Sequence, residues 1–180
     1  TILEKFEILQ SRHNMMLVEG VGGLLVPITT RYNVADLARE TGLPLIIVSR
    51  VRVGTLNHTL LTINAARQHG LKIKGIILNK QENCDLDNIE EQQGKLIEEL
   101  SDTPILGTCP YIENVSVEGI QNNLGKIKNE FKNNISIYGY IKNLDNKLLI
   151  DKNKYKNIEY NFDYFIGSKN KKYVQLFSKL

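Results

Sequence analysis

The sequence predicts an α/β fold built on a parallel sheet, and two patterns support this. Short apolar runs of strand length occur at residues 15–18, 45–48, 73–78 and 104–107, and stretches with helical spacing separate them. The first two runs show no alternation of apolar and polar residues, which is typical of strands buried on both faces. Strands that alternate with helices across short loops favour βαβ units.

Helices are predicted where apolar residues recur at helical spacing and where start and stop signals bound them. Asp87 and Glu90 form an N-cap pair before the fourth of these helices. Glycines follow the second helix (Gly42) and the third (Gly70). The predicted helices cover residues 1–13, 32–41, 55–69 and 87–100.

Composition and charge divide the chain into two predicted regions. Residues 1–114 carry 11 basic and 14 acidic side chains, whereas residues 115–180 carry 12 lysines and six acidic residues. The second region also holds 11 asparagines and six of the eight tyrosines, too many aromatic residues for a simple disordered tail. We therefore predict an α/β domain over 1–114 and a basic extension of unknown role over 115–180. Strands within that extension are predicted at 135–141 and 148–150.

Several function classes are excluded by composition. No apolar run approaches the roughly 20 residues that span a bilayer, and no signal peptide is visible, so we expect neither a membrane protein nor a secreted one. The two cysteines cannot form a disulfide framework, and we expect reduced thiols in the cytoplasm. The lysines of the extension follow no nucleic-acid-binding motif, so nucleic acid is not an expected partner.

Polar residues mark the predicted carboxyl ends of the strands, where open parallel sheets bind ligands. Glu19 follows the first strand and precedes the glycines Gly20, Gly22 and Gly23. A carboxylate there could ligate Mg²⁺, and the glycines would let backbone N–H groups approach an anion. A tight turn beside a solvated glutamate explains the same residues equally well.

Two further segments offer binding groups, each with a structural alternative. Residues 54–58 open a helix whose N-terminus could hold a carboxylate or phosphate, although Thr55 could simply be an N-cap and His58 could simply pack. Asn79 ends a strand, where its amide could read a base edge or merely begin a loop. Residues 110–114 follow the fourth strand and could form a wall of the same pocket.

Four sequence blocks closely resemble dethiobiotin synthetases, in family order and at family spacing over residues 1–114. The pairing of the first two blocks is the most specific feature, since cobyrinic acid amidating enzymes share only a related form of the first. The blocks are residues 17–27 (LVEGVGGLLVP), 54–62 (GTLNHTLLT), 75–79 (GIILN) and 106–111 (LGTCPY).

The resemblance implies a partial P-loop-NTPase-like fold of three layers around a parallel sheet. The Lys/Asn-rich appendage that follows lies outside the resemblance, and its composition alone predicts that it is α+β or irregular. It also implies an enzyme that uses ATP and Mg²⁺ to join CO₂ to 7,8-diaminononanoate and close the ring of dethiobiotin. The family's sites are shared between the subunits of a homodimer.

Site residues follow from the resemblance position by position. Glu19 resembles the family's Mg²⁺ ligand. Substrate-binding positions correspond to Gly20, Gly22, Gly23, Gly54, Thr55, Leu56 and Asn57. Nucleotide-binding positions correspond to Asn79, Pro110, Tyr111, Ile112 and Glu113.

The phosphate loop of the family is absent from these 180 residues, and with it the lysines that contact phosphate. The nearest imitation, at residues 119–127, has the wrong glycine spacing and lacks the final hydroxyl. No catalytic residue is therefore assigned, and we expect the chain alone to be inactive and prone to aggregate or dimerise. The alternatives are a non-catalytic dimerising module and a related ATP-dependent amidating enzyme of the cobyrinic acid synthase type.

Overall fold

The computed structural model describes residues 1–13, 16–20, 22–81, 88–131 and 174–177. The helices in this part of the chain are Ile2–Arg12 (α1), Val34–Thr41 (α2), Thr55–Gln68 (α3), Asn88–Ser101 (α4) and Val117–Phe131 (α5). The strands are Leu17–Gly20 (β1), Pro27–Thr29 (β2), Tyr32–Asn33 (β3), Leu45–Arg50 (β4), Ile73–Asn79 (β5), Ile105–Cys109 (β6) and Val174–Phe177 (β7).

Five of the strands form one sheet in the order β1-β7-β4-β5-β6. Every neighbouring pair in this sheet is parallel. Strands β2 and β3 form a separate antiparallel pair between β1 and α2. The predicted α/β fold with a parallel sheet is confirmed, and it is consistent with part of a P-loop-NTPase-like domain.

The hydrophobic core lies around β4 and β5. These strands present nearly continuous buried runs, because branched apolar residues suit a strand covered on both faces. Helices α2, α3 and α4 contribute Ala35, Ile63 and Ile97, each fully buried, to the same cluster. The core therefore sits directly beneath the carboxyl ends of the central strands.

Side-chain caps set where two helices begin. Asn33 and Asp36 form a capping box at the start of α2, and Thr1 and Glu4 form one at α1. The predicted start of α2 at residue 32 is therefore two residues early, because Tyr32–Asn33 pairs as β3 before the cap. Gly42, with φ 66°, ends the helix as predicted.

The first strand departs from the prediction of burial on both faces. Strand β1 begins at Leu17, and that side chain is 40% exposed. Helix α1 contains no buried residue, and β1 lies at the edge of the sheet. Lack of alternation was a poor guide here because burial depends on what packs over a strand, which the run itself does not record.

The first part of the predicted extension is a helix that packs on the sheet. Helix α5 lies against β6 and buries Ile120 and Ile127. The imitation phosphate loop at residues 119–127 falls within this helix, which confirms its rejection. Asp87 and the strands predicted at 135–141 and 148–150 lie outside the described residues.

Helices α1 to α5 all lie within the described residues. None of those between Ile2 and Phe131 is both long and apolar enough to cross a membrane.

Candidate functional site

The carboxyl ends of β4, β5 and β6 lie side by side. Arg50 is in register with Asn79, and Asn79 is in register with Cys109. The segments that leave these three strands therefore start from one edge of the sheet. This juxtaposition is what the sequence predicts for residues 49–57, Asn79 and residues 110–114.

Helix α3 begins at this edge without a side-chain cap. Its N-cap is Gly54, with φ 88°, and no side chain hydrogen-bonds to the first turn. Thr55 is the first helical residue and its side chain is buried, so the alternative that Thr55 is an N-cap is wrong. The first turn thus keeps N–H groups and a partial positive charge for a ligand.

The neighbours of Thr55 divide into a packed residue and an exposed one. Leu56 packs against the core cluster, which anchors the turn. Asn57 is exposed beside it, and so is His58. An amide and an imidazole therefore stand free of the core next to the helix N-terminus.

A buried hydroxyl pair fixes α3 to β4. The Ser49 and Thr59 hydroxyl oxygens lie 2.5 Å apart, and both side chains are buried. Hydrogen bonds between buried groups are costly to break, so this pair fixes the position of the start of α3 relative to β4.

The loop between β4 and α3 is tied on two sides. The backbone N–H of Val51 donates to the carbonyl oxygen of Asn79 at 3.1 Å. On the other side, the Gln93 side-chain amide donates to the carbonyl oxygen of Arg52 at 3.0 Å. Sequence reasoning missed Gln93, because a glutamine beside the exposed Gln92 carries no pattern that separates a buried amide from a solvated one.

The candidate nucleotide side is assembled from β5 and β6. Asn79 is buried at the end of β5, and the next residue, Lys80, donates its N–H to the Cys109 carbonyl oxygen at 3.0 Å. The chain then leaves β6 through a partly buried Pro110 and Tyr111, the buried Ile112 and the exposed Glu113. The structure therefore brings together the residues that the resemblance assigns to the nucleotide.

Glu19 lies elsewhere on the sheet. It is the third residue of β1, and it is in register with Leu176 of β7, which is in register with Ile46 of β4. Two strand spacings of about 4.8 Å each separate Glu19 from Ile46. Arg50 lies four residues further along β4, or about 13 Å. The structure thus does not bring Glu19 to the edge that holds Asn79.

The glycines after Glu19 are placed as a turn. Gly20 is the buried last residue of β1. Gly22 has φ 75°, and a β-carbon there would approach Val26 Cγ2 at 3.0 Å, so only glycine fits without strain. The Gly23 carbonyl oxygen accepts from the Val26 N–H at 3.0 Å.

Charge at the strand ends is positive. Arg50 ends β4, and Arg52 follows in the loop before α3, whose N-terminus adds a partial positive charge. Among the described residues, no group of three or more His, Cys, Asp or Glu side chains could hold a metal ion. A single exposed carboxylate such as Glu19 fits a Mg²⁺ ion whose other ligands are waters and phosphate oxygens.

Comparison with known proteins gives a family and a set of relatives. A family model described as an AAA domain matches residues 1–119. The ATP-dependent dethiobiotin synthetase of Bacillus cereus (strain G9842) is 44% identical over 112 residues, which cover 62% of this chain and 46% of that protein. The same enzyme of Thermodesulfovibrio yellowstonii is 40% identical over 126 residues, which cover 66% and 52% respectively.

The chain thus spans about half the length of the curated relatives it matches. The similarity to dethiobiotin synthetases predicted from the four sequence blocks is confirmed. This chain belongs to the AAA domain family, and the two relatives described above are ATP-dependent dethiobiotin synthetases.

Proposed function

We propose that this chain supplies the acceptor-binding and nucleotide-facing parts of a dethiobiotin synthetase. The observation that carries the proposal is the shared edge of β4, β5 and β6, because the uncapped α3 follows β4 there and Asn79 ends the neighbouring β5. A helix end that can hold an anion and an amide that can read a base are binding groups that suit an enzyme joining an acidic acceptor to a nucleotide-dependent step.

The acceptor in this proposal is 7,8-diaminononanoate. Its carboxylate would accept hydrogen bonds from the free N–H groups of the first turn of α3, and Asn57 adds an exposed amide. Gly54 allows close approach to the backbone because it carries no side chain. Thr55 and Leu56 would support the turn from its buried side, because Thr55 is buried and Leu56 packs against the core cluster.

The nucleotide would lie across β5 and β6. Asn79 offers a donor and an acceptor that match the edge of adenine. Pro110 and Tyr111 are partly buried and could contact the base and sugar, while Ile112 supports them from the core and Glu113 is exposed at the rim.

The reaction that we propose has three steps. One amine of the acceptor adds to CO₂ and loses a proton, which gives a carbamate. The carbamate oxygen takes the γ-phosphoryl group of ATP, releasing ADP and forming a mixed anhydride. The second amine then attacks the carbonyl carbon and loses a proton, phosphate leaves, and the ring closes. Each step depends mainly on positioning and charge neutralisation.

Glu19 is the proposed Mg²⁺ ligand. When bound, Mg²⁺ would neutralise developing phosphate charge during the transfer. Gly20, Gly22 and Gly23 would bring backbone N–H groups close to the same anionic groups. Because Glu19 is separated from β4 by β7, this part of the site depends on how the sheet is completed between β1 and β4.

A cytoplasmic homodimer is also part of the proposal. Val53 is 85% exposed and Leu61 is 58% exposed, on either side of the first turn of α3. A second subunit that covered these two side chains would remove their apolar surface from water, which favours association. The reduced thiol of Cys109 suits a reducing compartment.

A hybrid enzyme tests the proposal. The matched region of the Bacillus cereus relative is replaced by the corresponding residues of this chain, and dethiobiotin formation from 7,8-diaminononanoate, CO₂ and ATP is measured. We expect turnover by the hybrid and none by the 180-residue chain alone. In the hybrid, Glu19→Gln and Asn57→Ala should each lower kcat/KM at least tenfold.

Matched substitutions serve as controls for the hybrid. Glu118→Gln makes the same change from carboxylate to amide at an exposed position of α5 outside the proposed site, and it is expected to change kcat/KM by less than Glu19→Gln. Folded, dimeric hybrid without turnover would favour the non-catalytic dimerising module. Turnover with another acid but not with 7,8-diaminononanoate would favour an amidating enzyme of the cobyrinic acid synthase type.

A further inference from the structure

We propose that Gln93 is a positioning residue for the acceptor site, holding the turn that opens α3. The inference rests on the proposed function for the identity of the ligand, but its structural argument stands on Gln93 and the turn alone. Gln93 lies on α4, away from the sequence blocks that resemble dethiobiotin synthetases.

The turn from Arg52 to Thr55 converges on one carbonyl group. The Arg52 carbonyl oxygen accepts from the Thr55 N–H at 3.1 Å, which closes the turn, and from the Gln93 side-chain amide at 3.0 Å. Gln93 is thus the contact by which α4 holds the residues immediately before the α3 N-terminus. The Val51 N–H to Asn79 bond holds the same loop from the β5 side.

The position of Gln93 is itself fixed by close packing. The next residue is Gly94, where a β-carbon would approach Leu78 Cδ1 at 2.8 Å. Helix α4 therefore lies tightly against β5 at this point, and the Gln93 side chain is 5% exposed. A buried amide on a tightly packed helix has little conformational freedom. Its hydrogen bond can therefore keep the Arg52 carbonyl group in one position relative to α4.

The amide of Gln93 is only half satisfied. Its buried oxygen Oε1 has no hydrogen-bond partner among the residues that the structure describes. Buried polar atoms without partners destabilise a fold, so an apolar side chain of the same shape would suit packing better. What glutamine adds at this position is an amide N–H that donates to the Arg52 carbonyl oxygen. This indicates a role in positioning the turn and not in stabilising the fold.

The experiment compares Gln93→Met with Gln92→Met in the 180-residue chain. Methionine has nearly the shape of glutamine but no amide, and Gln92 is the exposed neighbour on the same helix. Hydrogen exchange of the Val51 and Thr55 amides is measured by NMR, together with titration by 7,8-diaminononanoate and urea unfolding. Gln93→Leu provides a second variant should the methionine repack.

The expected result separates positioning from stability. Gln93→Met should raise exchange at Val51 and Thr55 and weaken 7,8-diaminononanoate binding at least tenfold, with the free energy of unfolding equal to or above that of the parent chain. Gln92→Met should change affinity by less than twofold. Exchange in the middle of α3, at Ile63, should not change in either variant.

Two results would overturn the inference. One is unchanged exchange at Val51 and Thr55 in both Gln93 variants. The other is unchanged affinity in a Gln93 variant when the parent chain binds. If the parent chain shows no binding at all, the proposed function fails for this acceptor, and raised exchange in the Gln93 variants still supports the hold on the turn.

Discussion

The two ends of the strand order, β4 to β6 on one side and β1 with β7 on the other, are built in different ways. On one side, β4, β5 and β6 follow each other in the chain, pair along most of their length and enclose the core with α3 and α4. On the other side, β1 pairs with β7, the one strand partner it has among the described residues, and β7 comes from the far end of the chain.

This difference concerns the candidate site as well as the fold. The residues proposed to bind the acceptor and the nucleotide stand on the side that is locally connected and that holds the hydrophobic core. Glu19 stands on the other side, where β1 reaches the rest of the sheet through Val174–Phe177. The first side is therefore expected to keep its geometry by itself, whereas the position of Glu19 depends on the strand between β1 and β4.

The largest expected effect comes from truncating a core residue on the packed side. Ile76 on β5 is fully buried, so Ile76→Ala should lower the free energy of unfolding by about 2–5 kcal/mol. Leu17→Ala on β1 should lower it by less than about 1 kcal/mol, because that side chain is 40% exposed. Urea unfolding of both variants checks the contrast, and equal losses would contradict it.

A proline in β7 tests the dependence of β1 on that strand. Leu176 is in register with Glu19 on one side and Ile46 on the other, and proline cannot donate to a strand ladder. Leu176→Pro should abolish amide protection in β1 while protection in β5 remains.

The control for that variant is Lys179→Pro, two residues past the end of β7. Hydrogen exchange measured by NMR should show β1 protected in Lys179→Pro as in the parent chain. If β1 stayed protected in Leu176→Pro, the two sides would not be joined through β7.

The smallest expected effect lies in the connection between the two sides. The Tyr32 hydroxyl donates to Glu40 at 2.7 Å, which ties β3 to α2. Partial burial, and then the hydrogen bond and charge of Glu40, raise the pKa of Tyr32 from 10.0 to about 12. Since the unfolded chain ionises first, the stabilising contribution is complete below pH 10 and is lost as the pH rises to 12.

Comparison with Tyr32→Phe isolates this contribution. The free energy of unfolding of the parent chain relative to Tyr32→Phe should fall between pH 10 and 12 and stay level between pH 7 and 9. Glu40→Gln should move the loss to lower pH, because the glutamate charge no longer raises the pKa of Tyr32. A difference that stays constant up to pH 12 would contradict the assignment.

Much of the packed side could be predicted from the sequence. Buried runs near residues 45–48 and 73–78 predict β4 and β5, and glycine signals predict where α2 and α3 end. The grouping of residues 54–57 with Asn79 followed from one general property, that the carboxyl ends of parallel strands meet at one edge.

The features that could not be predicted depend on contacts between residues far apart in the sequence. Nothing in the run before Glu19 indicates that β1 would lie at an edge, and nothing in Val174–Phe177 indicates that it would pair between β1 and β4. The hydrogen bond from Gln93 to Arg52 joins residues that are 41 positions apart, and no sequence pattern indicates it either. Local patterns record propensity and periodicity, whereas these features depend on which segments meet.

Separate NMR titrations of the 180-residue chain with 7,8-diaminononanoate and with Mg²⁺-ATP test the central claim most directly. We expect the acceptor to shift the amides of Leu56 and Asn57. ATP should shift Asn79 and residues 110–113, and α1 should be unaffected by either ligand. Shifts confined to α1 and β1, or no saturable shift at the shared edge of β4, β5 and β6, would contradict it.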